Sequence, residues 1–332
     1  MSSSLHMLAM IPVASPEGGR YELMECPVPV PRATEVLVGV KASALNRGEL
    51  NALQRLVDPV KKPVIGGLEF SGIIVALGES VTGWQLGDEV MARAPGGFAQ
   101  FAICDERALM LKPPQVSWEV SATIPNVFIT AHDAIVTAGM LCKGETVLIT
   151  AGSSGVGVAA IQIAKYMGAS KVLVTNRSPS KIEKLYSLGA DLVIDTERPD
   201  WTDKVMEITS GVGVNIVVDQ VGSTLLDANL KILSIGGRLL TVGRNAGSKA
   251  ICDLDEIARK NARIIGTSFR TRTREQIYDC VDRFQKDLMA AFLTGVIVPV
   301  VDRCFQLDAI AEAQAYLCSN KHIGKIAIAV NV

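Results

Sequence analysis

The chain has 332 residues, 48% of them apolar, and a formal net charge of -1. That length suits about two domains with sizeable cores. The near balance of charge gives no electrostatic footing for nucleic acid or an anionic membrane surface, and no uninterrupted apolar run approaches the ~20 residues of a membrane span.

The chain opens on "MSSSLHMLAM", which has no basic region and too short an apolar run for a signal peptide. From about Leu8 to Lys112 the residues predict short strands: "LAMIPVA", "EVLVGVKAS", "FSGIIVALG", "DEVMARA" and "FAQFAI", separated by Gly, Pro and Asp clusters. Pro27, Pro29 and Pro31 keep "PVPVP" extended and out of any sheet centre. "KPP" at 112–114 closes this part. Seven cysteines are scattered with no CxxC pair, which indicates neither a disulfide framework nor a structural zinc lobe. Reduced thiols in a cytoplasmic protein are the expectation.

The middle of the chain alternates. Strand-like "TVLIT", "KVLVT", "DLVID", "NIVVD", "RLLTVG" and "RIIGTSF" are separated by helical stretches such as "VAAIQIAKYMGA" and "PSKIEKLYSLGA". This alternation implies an α/β fold with a parallel sheet covered on both faces. A helix at "EQIYDCVDRFQKDLMAAF", then "VVDRCFQ", "LDAIAEAQAYL" and a last strand "GKIAIAV" follow.

Between the first two middle strands stands "AGSSGVG". Gly152 permits a sharp exit from the strand, while Gly155 and Gly157 keep side chains away where the helix start meets ligand and sheet. The free N–H groups and positive dipole end of that helix suit a pyrophosphate, cradled by Gly152, Ser153, Ser154, Gly155, Val156 and Gly157. Ser154 occupies the place of the usual second glycine. At the tip of the next strand "TNRSPSK" lacks the acidic residue that would accept from the ribose of NAD. Asn176, Arg177, Ser178 and Lys181 there favour NADP, through hydrogen bonds or ion pairs with its 2′-phosphate.

"ASALNRGEL", "GLEFSGIIVALG", "GDEVMA", "GGFAQF", "AGSSGVG", "SLGAD" with "VID", and "NKHIGKIAIAV" together resemble the zinc-independent quinone oxidoreductase branch of the medium-chain dehydrogenase/reductase superfamily. The resemblance is nearest to its p53-inducible quinone oxidoreductase type. It implies a Rossmann doubly wound parallel sheet inserted into a GroES-like β-rich catalytic domain. The expected parts are 1–124 and 269–332 for the catalytic domain and 125–268 for the NADP-binding domain, with the active site in the cleft that separates them.

The zinc-dependent members of that superfamily ligate a metal through Cys, His and Cys. The matching positions here are Asn46, Leu68 and Asn126, so no metal site is expected. The resemblance places Asn46 and Thr130 near the nicotinamide as catalytic residues, and Val242, Gly243, Phe269, Arg270 and Lys325 among the cofactor contacts. Asn46 bonding turn backbone and Thr130 bonding its own helix are the bland alternatives. Relatives often carry a tyrosine in the loop after Asn46, whereas "NALQRLVDPVKK" has none. The implied reaction is hydride transfer from NADPH, without metal, to a quinone or α,β-unsaturated carbonyl. Its developing negative charge would be held by a hydrogen bond from Asn46. A zinc-free ketone or alcohol oxidoreductase and a non-catalytic NADP-binding protein stay open. A homodimer paired through the last Rossmann strand at 262–269 is expected, because that apolar edge invites pairing.

Overall fold

The computed structural model describes residues 5–58 and 64–331. The chain divides into two compact units, 1–126 with 281–332, and 127–280. In chain order the first part holds β1 (His6–Val13), β2 (Arg20–Pro27), β3 (Glu35–Ala44), α1 (Arg47–Leu53), β4 (Phe70–Leu77), β5 (Glu89–Ala92), β6 (Phe101–Asp105), β7 (Leu109–Leu111), α2 (Trp118–Ala122) and α3 (Pro125–His132). The middle holds β8 (Thr146–Ile149), α4 (Gly155–Tyr166), β9 (Lys171–Thr175), α5 (Ile182–Ser187), β10 (Leu192–Ile194), α6 (Trp201–Ile208), β11 (Val214–Asp219), α7 (Leu226–Lys231), β12 (Leu233–Thr241), α8 (Leu254–Lys260) and β13 (Arg263–Gly266). The end holds α9 (Arg274–Leu293), β14 (Val301–Gln306), α10 (Ile310–Cys318) and β15 (Lys325–Ala329).

The first unit is the β-rich one. Its main sheet runs β14-β15-β3-β4-β5-β7, with β6 paired to β3, and β1 and β2 form a separate antiparallel pair. β2 goes beyond the sequence expectation. Its residues are mostly exposed or half-buried, so "RYELMECP" shows no clean apolar alternation. The last strand matters most for position. β15 lies antiparallel to β3 in the register Ala327↔Ala44, and β4 pairs with β3 in the register Ser43↔Phe70. Extended by two residues or one, these registers bring Lys325, Glu69 and Asn46 to one place.

The second unit is a six-stranded parallel sheet in the order β10-β9-β8-β11-β12-β13. That is the doubly wound order, with β8 and β11 flanking the point where the strand order reverses. Val147, Leu148 and Ile149 of β8 are fully buried, as expected of a strand covered on both faces. Each such side chain contributes roughly 1.5–3 kcal/mol of burial. α4 buries a continuous run from Gly157 to Ala164, small and apolar except for Gln162.

This unit runs to Cys280. The physical tie is a bidentate ion pair: Arg272 Nη1 and Nη2 donate to Asp133 Oδ1 and Oδ2 at 3.0 and 2.6 Å. Asp133 is buried and follows α3, in a stretch at 133–138 where the helix widens to π geometry. Arg272 also lies 4.6 Å from the Phe269 ring centre. Removing the guanidinium would leave a carboxylate buried without its counter-ion, a loss of about 3–5 kcal/mol. Arg272→Ala should therefore lower the urea midpoint markedly, while Arg272→Met with Asp133→Leu should recover much of the loss.

Candidate active site

In the first unit the ends of β3, β4 and β15 converge on four polar side chains. Lys325 is 5% exposed and Glu69 fully buried. The Lys325 ammonium donates to Leu45 O at 2.6 Å and Asn46 Oδ1 at 2.7 Å, and sits 2.8 Å from Glu69 Oε1. Those three acceptors match its three hydrogens. Lys325, expected among the cofactor contacts, is thus committed inside the protein. Asn126 completes the group. Its backbone N–H donates to Glu69 Oε2 at 2.8 Å, its Nδ2 donates to Asn46 Oδ1 at 2.7 Å, and its Oδ1 accepts from Arg93 Nε at 3.0 Å.

The positions that match the metal ligands of zinc-dependent relatives are therefore filled by amides already bonded to one another and to an ammonium. Leu68 lends no donor atom. This donor set does not fit zinc. Among the described residues no cluster of His, Cys, Asp and Glu can hold a metal ion.

Asn46 is held on both sides of its amide. Its Nδ2 faces three acceptors: Glu69 Oε1 at 3.0 Å, Glu49 Oε2 at 3.1 Å and Ala44 O at 3.3 Å. Two hydrogens serve these three, so with both carboxylates ionised the amide has no hydrogen left for the charge on a substrate. Glu49, on the first turn of α1, was not legible as a site residue. Burial pushes its carboxyl up to about 7, against the lowering effects of the Asn46 hydrogen bond, Lys325 and the Gly67 N–H, and with Glu69 adding to the rise. Tyr21 of β2 stands edge-on to Phe98, ring centres 5.6 Å apart. Burial first, and the Glu49 charge second, push the Tyr21 phenol well above its ordinary range. The loop after α1 is described as far as Asp58; its "PVKK" lies outside the described residues.

In the second unit the glycine-rich turn forms as the sequence implies. A Cβ on Gly152 would fall 1.9 Å from Val174 Cγ1, and one on Gly157 would fall 2.6 Å from the carbonyl oxygens of Ala151 and Gly152. Ser154 does more than stand in for a glycine. It caps α4 by accepting from the Gly157 N–H at 3.0 Å, and it donates to Gln220 Oε1 at 2.7 Å. The Gly155 and Val156 N–H groups stay without an acceptor in the helix, as at any helix start. They and Ser153 form a cradle that fits a pyrophosphate.

Behind the cradle, Gln220 Nε2 donates to Thr150 O at 2.7 Å. Buried Asp219 accepts from Thr150 Oγ1 at 3.1 Å and from the N–H groups of Val221 and Gly222. Burial pushes the Asp219 carboxyl up, and those bonds oppose the rise. Val242 and Gly243 donate their N–H groups to Asp219 O at 2.8 and 3.0 Å. The sequence signal for this was the Asp that ends "NIVVD".

At the tip of β9 the cations differ in placement. Lys181 is 6% exposed with Nζ 3.5 Å from Ser153 Oγ. Arg177 is exposed, and its Nη1 lies 3.3 Å from Glu197 Oε1. Asn176 Nδ2 donates to Ser178 O at 2.6 Å. A cavity of about 420 Å³ opens beside Asn176, Ile194 and Arg198. Thr130 is half-buried on α3, Phe269 lies under Arg272, and Arg270 is exposed.

The model for the alcohol dehydrogenase GroES-like domain matches residues 32–114, and that for zinc-binding dehydrogenases matches residues 155–286. Acryloyl-coenzyme A reductase of Sulfurisphaera tokodaii is 30% identical, over 96% of this chain and 98% of its own. Human quinone oxidoreductase is 28% identical over 86% of each chain. A mycobacterial protein solved with NADPH superposes with a TM-score of 0.84 at 26% identity, covering 98% of this chain and 100% of its own. Some curated relatives are far longer, and there the chain matches 14% of their length. With likeness along its full length and no metal cluster among the described residues, the chain belongs to the medium-chain dehydrogenase/reductase superfamily, as an NAD(P)H-dependent oxidoreductase related to the quinone oxidoreductases.

Proposed function

We propose that this protein reduces a quinone or an α,β-unsaturated carbonyl with a hydride from NADPH. The observation that carries the reading is the closed network of Asn46, Glu69, Asn126 and Lys325. It leaves no donor set for a Lewis acid, and an alcohol oxygen needs such help to become an alkoxide. A conjugated acceptor needs less, because its own π-system spreads the charge. Quinone oxidoreductase and acryloyl-coenzyme A reductase both carry conjugated acceptors in their names.

NADPH, when bound, supplies the hydride. The chain's own residues supply position. The cradle from Gly152 to Gly157 receives the pyrophosphate, and Asn176, Arg177, Ser178 and Lys181 receive the 2′-phosphate. Val242 and Gly243, at the tip of β12, and Phe269 and Arg270 are further contacts in this reading. Thr130 stands on α3 for the nicotinamide. Asn46 acts from within its network, where the Lys325 ammonium sets a positive field. A cytoplasmic location fits seven cysteines outside any disulfide, three of them exposed. No helix among the described residues is long and apolar enough to cross a membrane.

A homodimer fits the edge of the second unit. β13 ends that sheet, and Ile264 on it is 45% exposed. A bare apolar strand edge of this kind invites pairing across a two-fold axis. Light scattering should give twice the chain mass, and Ile264→Lys should shift it toward the monomer. A monomer mass for the wild type at every concentration would defeat the dimer.

NADPH oxidation should be fastest with quinones, enones or enoyl thioesters and slow with simple ketones; turnover confined to ketones would overturn the reading. Activity should survive a chelator, with no stoichiometric zinc by elemental analysis. Cofactor choice should divide by placement. Hydrogen bonds to charged groups are worth roughly 1.5–3 kcal/mol, or about 10- to 150-fold in binding. Lys181→Met should weaken NADPH within that range and leave NADH nearly unchanged. Arg177→Ala should fall near the lower end, because Glu197 already holds part of its charge. Equal effects on both cofactors would refute the 2′-phosphate role.

A further inference from the structure

β8 and β11 are neighbours at the point where the strand order of the parallel sheet reverses. Sheets of this kind open a ligand crevice there, outside the carboxyl ends of the strands. Gln220 follows β11 at that end and is 5% exposed. Its backbone N–H donates to Thr150 Oγ1 at 2.8 Å, and its Nε2 donates to Thr150 O at 2.7 Å. Both bonds tie it to the residue after β8. Its Oε1 accepts from Ser154 Oγ at 2.7 Å. We propose that Gln220 is a positioning residue for the cofactor: through the Ser154 hydroxyl it sets the glycine-rich turn so that backbone N–H groups receive the pyrophosphate. This inference rests on the turn at 152–157 being the pyrophosphate cradle, and it names what holds that cradle in shape. Every residue it uses lies in the second unit.

The direction of each bond in the chain is forced. Thr150 O is a carbonyl and can only accept, so Gln220 turns its NH2 group to it and its oxygen to Ser154. An amide oxygen also only accepts, so the Ser154 hydrogen points to Gln220. Ser154 Oγ is left with lone pairs, and one of them takes the Gly157 N–H at 3.0 Å. The hydroxyl therefore has no hydrogen for a phosphate oxygen. The N–H groups of Gly155 and Val156 remain as donors of the turn. A hydroxyl that already donates is also a stronger acceptor, so the bond to Gln220 strengthens the cap on Gly157.

Gln220 is itself held from three sides. Thr150 Oγ1, which accepts its N–H, donates to buried Asp219 at 3.1 Å. The Asn245 N–H donates to Gln220 O at 3.4 Å. A Cβ on Gly243 would fall 2.5 Å from that same carbonyl oxygen, so the chain leaving β12 packs directly on Gln220. One side chain thus joins the ends of β8, β11 and β12 to the first turn of α4. It acts on the pyrophosphate, which NADPH and NADH share, and not on the 2′-phosphate, which only NADPH carries. Its signature is therefore the opposite of that expected for Lys181.

The decisive experiment measures binding rather than turnover. Dissociation constants of NADPH, NADH and adenosine 2′-monophosphate are taken for wild type, Gln220→Met, Ser154→Ala and the double variant. Nicotinamide fluorescence reports the dinucleotides, and displacement of NADPH reports the monophosphate. The net worth of one hydrogen bond corresponds to about 2- to 12-fold in binding. Gln220→Met should weaken NADPH and NADH alike by that factor. It should leave the monophosphate, which has no pyrophosphate, unchanged. Ser154→Ala should do the same, and the double variant should be no weaker than Ser154→Ala, because Gln220 acts through that hydroxyl. Without any ligand, hydrogen exchange at the Gly157 amide should be faster in Gln220→Met than in the wild type.

Unchanged dinucleotide affinity in Gln220→Met would overturn the proposal. Equal weakening of all three ligands would do so too, since that is a general loosening of the unit. Additive losses in the double variant would place the action of Gln220 elsewhere than in Ser154. Tighter dinucleotide binding by Gln220→Met would mean that the released Ser154 hydrogen bonds the phosphate itself, which contradicts the proposal. If Gln220→Met does not fold, Ser154→Ala still decides: unchanged affinity for both dinucleotides defeats it. A wild type that binds neither NADPH nor NADH would instead defeat the cradle on which the inference rests.

Discussion

The Lys325 ammonium is the cation around which the first unit's polar centre is arranged. It is buried with Glu69, and burying two charges costs several kcal/mol each unless geometry and further hydrogen bonds offset it. Here four further hydrogen bonds do so. Leu45 O and Asn46 Oδ1 complete the ammonium, while Asn46 Nδ2 and the Asn126 N–H complete the carboxylate. That closure constrains the fold as well. Lys325 and Asn46 are far apart in sequence and meet only if β15 pairs with β3 in its observed register. A one-residue slip would turn Lys325 to the opposite face of the sheet, leaving Glu69 buried alone.

The same closure shapes the chemistry. A metal would offer a concentrated charge and an open position. An ammonium with all three hydrogens committed offers charge without an open position. It can favour negative charge nearby, but it cannot bind and polarise an alcohol oxygen directly. This confines the centre to acceptors that delocalise charge themselves. It also keeps Asn46 occupied by three acceptors.

The second unit solves a different problem, that of holding a strand-to-helix turn rigid while leaving its N–H groups exposed. Ser154 is central. As a cap it satisfies the Gly157 N–H and not those of Gly155 and Val156, and through Gln220 it is tied to Thr150 at the tip of β8. Asp219 secures the other side through Thr150 and two backbone N–H groups. The departure from a glycine at this position thus adds a brace without adding bulk.

Legibility in the sequence followed the range of the interactions. The parallel sheet was plain in the alternation from "TVLIT" to "RIIGTSF", because burial on both faces writes continuous apolar runs. The glycine turn was plain for the same local reason. What could not be read depended on long-range register. Nothing near Lys325 in sequence tells of its ion pair, because Glu69 and Asn46 are brought to it by strand register. Glu49 carried no signal in the sequence, since nothing adjacent tells that Glu69 and Lys325 act on it. The pairing of Arg177 with Glu197, from the loop after β10, could not be read either. A charged residue declares its type in sequence, but its availability is set by partners that only the fold brings near. Lys181 and Arg177, in one short segment, are separated in that way: one is buried against Ser153, and the other is exposed and shared.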